Sequence, residues 1–142
     1  MKRVTAIALC LTAALAGCSS TDEYVDDVNE IQQRVIEASN SVGSDVNASK
    51  KEIVDQLEAA KAEANEAVSD LQSVDVPDDA KKGHEQLVNG FEDLEKLYAD
   101  VSKGIASESG SASFDELRTK GAEIDKEIDQ ALDKINDDLG LK

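Results

Sequence analysis

Aromatic residues are nearly missing from this chain. Its 142 residues include no Trp, two Phe and two Tyr. Without long runs of alternating β-branched and aromatic residues, nothing in the sequence supports a β-sandwich or barrel. There is one Pro, Pro77, and one His, His84. A single His cannot build a His-rich metal centre. Of the two Cys, only Cys18 lies beyond residue 17, so residues 18–142 cannot close an internal disulfide. Basic stretches are missing too. Residues 18–142 carry 31 acidic and 13 basic residues, a net charge of −18. Acid is spread along the whole chain and no window is basic, which excludes a nucleic-acid ligand. An anionic lipid surface would repel such a body. The run Asp-x-Asx-x-Asx-Gly of a calcium loop, the phosphate-binding Gly-x-x-x-x-Gly-Lys-Ser/Thr and the nucleophile motif Gly-x-Ser-x-Gly are all absent. The expectation is a non-enzymatic protein with no catalytic residues, no metal and no cofactor.

What remains is rich in Ala, Glu, Lys, Leu and Gln, the strong helix formers. Apolar residues recur at steps of three and four. One row is Tyr24, Val28, Ile31, Val35, Ala38 and Val42. A second is Ile53, Leu57, Ala60, Ala64, Ala67 and Leu71. A third runs Ala80, His84, Leu87, Phe91, Leu94, Tyr98, Val101 and Ile105. The fourth is Phe114, Leu117, Gly121, Ile124, Ile128, Ala131 and Ile135. Val54, Val68, Val88, Leu97 and Leu132 widen these seams toward the stripe of a globular bundle. The fold class expected is all-α, an elongated antiparallel three- to four-helix bundle with coiled-coil-like seams.

Punctuation places the helices at about 22–42, 45–74, 78–107 and 113–139. Capping boxes are read at Ser20-x-x-Glu23, Ser49-x-x-Glu52 and Ser113-x-x-Glu116. Pro77 suits the first position of the third helix, and Gly140 a left-handed stop to the fourth. Residues 107–113 read as a Ser/Gly loop. The boundary at 43–49 is open, because Val42, Val46, Ser49 and Ile53 continue the seam through it. Residues 22–42 therefore form either a stalk or a fourth bundle member. Glu30–Arg34, Asp78–Lys82, Glu92–Lys96 and Glu116–Lys120 are expected i,i+4 ion pairs. Many seam positions are Ala, which bury little area, so modest stability is expected.

The first residues carry a separate message. Lys2-Arg3, an apolar run from Val4 to Ala16 and then Leu15-Ala16-Gly17-Cys18 make a secretory signal too short to span a bilayer. The four residues ending at Cys18 resemble a bacterial lipobox. That resemblance implies removal of residues 1–17, lipidation of Cys18, a short tether over 18–21 and a bundle over 22–142. It implies anchoring by acyl chains on the extracytoplasmic face of the cell membrane. In a host with two membranes, Ser19 after the lipidated Cys would direct it to the outer one.

Two further resemblances bear on the body. The lipobox, the start Tyr24-Val25-x-x-Val28-Asn29-x-Ile31-Gln32 and the stretch from Val76-Pro77 through His84 to Gly90 resemble small helical lipoproteins of actinobacteria. This implies an envelope location and a helical fold, and supplies no activity. Cys18-Ser19-Ser20, the heptad-like helices and the terminal Lys142 resemble the murein lipoprotein of enteric bacteria. This chain is longer, broken at Pro77, and lacks that family's residues before the final Lys. The function expected is an acidic helical bundle presented to an envelope protein partner, with self-association of its regular seams as a second contact. The alternative is a tether between membrane and wall. Candidate interaction residues are Tyr24, Asn29, Gln32 and His84. For His84 the structural reading is a half-buried His bonded to a neighbouring helix or to the loop near Ser107.

Overall fold

A computed structural model describes residues 19–45, 47–107 and 110–141. It contains four α-helices and, among the described residues, no strand. They are α1 (Ser19–Ser41), α2 (Lys50–Leu71), α3 (Lys81–Ala106) and α4 (Gly110–Asp138), with one 3-10 turn over Asp78–Ala80. The all-α bundle expected from the seams is the observed fold. The 26 residues of α3 span ~39 Å.

Helix ends follow local chemistry. Ser49 caps α2 in a reciprocal box. The Glu52 N–H donates to Ser49 Oγ at 3.3 Å, and the Ser49 N–H donates to Glu52 Oε2 at 2.7 Å. Gly140 takes φ of 68°. Its N–H reaches the Asp137 carbonyl at 3.2 Å, and the Leu141 N–H reaches that of Asn136 at 2.9 Å. That is the Schellman closure of a helix. Gly43, at φ of 66°, ends α1 in the same left-handed region, and its N–H donates to Gln56 Oε1 of α2 at 2.9 Å.

Gly43 thus resolves the open boundary: the chain reverses and α1 folds back as a fourth bundle member. Other boundaries shift. The helix is already formed at Ser19, three residues ahead of the expected start, and Ser20 lies inside it. Helix α2 starts at Lys50 and stops at Leu71, leaving 72–77 as a connection. Pro77 caps the 3-10 turn instead of opening the long helix. Helix α4 begins at Gly110, so Ser113 is an interior residue and not a cap. Lys2, Cys18 and the lipobox lie outside the described residues.

One helix serves three others. Backbones come within 8 Å for α1 with α2, α2 with α3 and α3 with α4, while α1 and α4 keep apart. Buried on α3 are Leu87, Phe91, Leu94, Leu97, Tyr98, Val101 and Ile105. Side chains from α1 reach α3 without close backbone contact: Tyr98 donates from its hydroxyl to Ser39 Oγ at 2.7 Å, and Ser39 donates onward to the Val35 carbonyl at 2.7 Å.

The α3–α4 pair is fitted by exchanging bulk for glycine. A Cβ built on Gly83 would lie 2.7 Å from Ile135 Cγ1, and one on Gly90 2.7 Å from Ile128 Cγ1. One turn-pair further the roles reverse: a Cβ on Gly121 would meet Leu97 Cδ2 at 3.8 Å. Each layer sets one large side chain against none, as knobs enter holes. The N-terminal half of α4 is less covered. Leu117 and Ile124 are half-buried and Phe114 is 40% exposed, whereas Ile128, Ala131 and Ile135 are buried.

Folding also sorts the charge. Acid runs along the whole sequence, and antiparallel helices bring its densest stretches to one end. Residues 19–36, 64–93 and 125–141 share the half that holds Ser19 and carry 19 acidic against 5 basic residues. The opposite half, residues 37–63 and 94–124 as described, has 11 against 7.

The glycine layers are testable by sign. Both Gly→Ala changes gain up to ~1 kcal/mol of helix propensity. At Gly83 the new Cβ would also press the Ile135 backbone N at 3.1 Å and the Ala131 carbonyl at 3.2 Å. Overpacking there should prevail, so Gly83→Ala is expected to destabilise by about 1–3 kcal/mol. Gly121→Ala should stabilise. Urea unfolding of both variants checks this, and shifts of the same sign would refute the layer assignment.

Candidate functional site

A buried polar junction lies at the acidic end, where α1 begins, α2 stops and α3 starts. The last carbonyls of α2 have no partner within their own helix. His84, in the first turn of α3, meets one of them: its Nε2 lies 3.0 Å from the Leu71 carbonyl. A carbonyl only accepts, so Nε2 carries the proton. Nδ1 is then the acceptor, and the Tyr24 hydroxyl donates to it at 3.1 Å. The two rings stand 5.7 Å apart, tilted by 53°. Three helices are joined through one imidazole.

Both side chains are inside, Tyr24 at 2% and His84 at 8% exposure. Burial pushes the His84 imidazole below its usual value, with the Leu71 carbonyl pulling weakly the other way. Burial also pushes the Tyr24 phenol up to about 12. Both groups are therefore neutral at pH 7, and both are turned away from any partner. Asn29 and Gln32 are half-buried on α1 and remain the outward pair of the four candidate residues. The sequence offered the loop near Ser107 as one partner for His84. The structure places Ser107 at the far end of α3, and α1 and α2 supply the partners instead.

A second constellation went unread in the sequence. Arg34 is the sole cation of α1. It does not pair with Glu30 in its own helix. It reaches across to α2, where Glu63, Glu66 and Asp70 stand on one face. Nη1 lies 3.4 Å from both Glu63 and Glu66, and Nη2 bonds Asp70. The spacing of these acids, i, i+3 and i+7, was available as a signal, but the sequence holds many such sets. Two other pairs also shift: Lys81 takes Asp78, and Lys96 takes Asp93, each three residues back. Glu116–Lys120 forms as expected. Ser102 of α3 donates to Glu58 Oε1 of α2 at 2.8 Å, and with Lys61 it holds that carboxyl below its usual range.

The surface offers shallow grooves. One of about 250 Å³ lies beside Arg34, between Asp27, Glu30 and Ser73. Another of about 310 Å³ lies between α3 and α4 beside Leu97 and Ile124. Among the described residues no group of three or more His, Cys, Asp or Glu is placed to hold a metal ion. No described helix is long and apolar enough to cross a membrane.

Arg34→Gln removes the one positive charge between two acidic helices. Isolated surface pairs contribute 0–1 kcal/mol, and this half-exposed group faces three carboxylates. The expected loss is about 1–2 kcal/mol in 50 mM salt, shrinking in 1 M salt as repulsion is screened. Denaturant unfolding at both salt levels checks it, and a salt-independent loss would point to packing alone.

Comparison with protein-family models, curated proteins and solved structures finds no match to this chain.

Proposed function

We propose that this is a lipid-anchored, non-enzymatic envelope protein that presents an acidic helical bundle to a protein partner. The observation that carries the reading is the position of α1. It holds Ser19, next in sequence to the lipobox Cys18, at the acidic end of the bundle, and its apolar row is buried from Tyr24 onward. Lipid on Cys18 would then set the acidic end of the bundle nearest the membrane. Anionic headgroups repel that end, so the acyl chains must hold it, and a diacylglycerol supplies the two chains that stable anchoring takes. The outward surfaces are helix faces and shallow grooves, which suit contact with another protein better than enclosure of a small substrate.

The tether reading has less support. A spacer would extend α1 away from the other helices, and here α1 folds back against α2.

Two measurements test the proposal. Cells fed a clickable palmitate analogue should label the chain, and Cys18→Ser should abolish the label and release the protein from membranes. Crosslinking in cells should then recover a reproducible envelope protein with the wild-type chain. An unlabelled wild-type chain would refute the anchor. Peptidoglycan fragments in place of a protein partner would favour the tether.

A further inference from the structure

We propose that the Tyr24–His84–Leu71 junction is a pH-sensitive latch that holds α1 on the bundle near neutral pH and loosens it as His84 takes up a proton. α1 lies at the edge of the bundle, held by its buried apolar row and by Arg34 on the acids of α2. Its backbone approaches only α2. Beside that shared apolar core, its hydrogen bonds to α3 are Tyr24 to His84 at one end and Tyr98 to Ser39 at the other. Its connection to α2 is a short loop with Gly43 in the left-handed region. An edge helix joined in this way can open while α3 and α4 stay paired.

The groups around the imidazole set the sign. From α1 the facing group is the Tyr24 phenol, which stays neutral. From α2 it is the uncharged Leu71 carbonyl, and neighbouring Asp70 is engaged by Arg34. Behind Gly83, α4 presents Ile135 and Ala131. No carboxylate contributes to the protonation of His84. The end of α2 favours an imidazolium, but burial outweighs it and no full negative charge stands ready to compensate. Protonation also turns Nδ1 from acceptor to donor, so the Tyr24 hydroxyl must reorient. When α1 opens, the imidazole is hydrated and its affinity for a proton returns toward the ordinary value near 6.5. The open state then binds more protons than the closed one. Closure is strongest above pH ~6.5 and weakens as pH falls below it.

The chain has a single His, so the test is clean. Hydrogen exchange of the full chain in detergent micelles, corrected for intrinsic rates, reads opening helix by helix. Between pH 7.5 and 5.5 the opening constant of α1 should rise by up to about tenfold, with α3 and α4 unchanged. His84→Gln keeps an N–H for the Leu71 carbonyl but cannot titrate, and should remove this pH dependence. The same rise in His84→Gln, no rise in the wild type, or a rise shared by all four helices would overturn the latch. If the variant fails to fold, the imidazole signal of the wild type decides alone. Titration below 6.5 supports the proposal, and titration at or above 6.5 overturns it.

Discussion

The arrangement depends on α3 meeting three neighbours at once. A helix can do this only if its apolar stripe is wide and its bulk is distributed. On α3 the rows divide the work. Gly83, Gly90 and Leu97 meet α4. His84 and Tyr98 reach toward α1, and Ser102 bonds to α2. Glycine on the α4 side lets two backbones approach, so Ile128 and Ile135 bury against the helix itself. With few aromatics and an Ala-rich α2, this close approach supplies dispersion contacts that larger side chains provide elsewhere.

The apolar seams were legible because burial in a helix repeats at 3.6 residues, whatever partner covers it. Tyr24, Leu57, Leu87, Tyr98 and Ile135 all turn inward as their spacing requires. The turn at Gly43 was not legible, because Val46 and Ser49 kept the seam in step across it. Glycine is a weak helix former, and the spacing of seven between Gly83 and Gly90 acquires meaning only beside Ile135 and Ile128. Arg34 has carboxylates available in its own helix and in the next. Helix spacing favours the first, and three acids on one face of α2 win.

Charge shows the same limit. Every helix is net acidic. Only antiparallel packing brings the start of α1, the end of α2 and the end of α4 together into an acidic pole. The Tyr24–His84–Leu71 junction lies within that pole. Of the residues singled out from the sequence, Tyr24 and His84 proved to be partners of one another, joined across 60 positions. Both side chains are buried, and their hydrogen bonds are internal to the bundle.

The most direct test of this account is a side-chain-resolved NOESY spectrum of the chain. The register places the Ile135 γ1-methylene beside Gly83, the Ile128 γ1-methylene and δ1-methyl beside Gly90 and a Leu97 methyl beside Gly121. All three contacts should appear together. A consistent shift of the α4 contacts along α3, or their loss with the secondary structure intact, would contradict the central role assigned to α3.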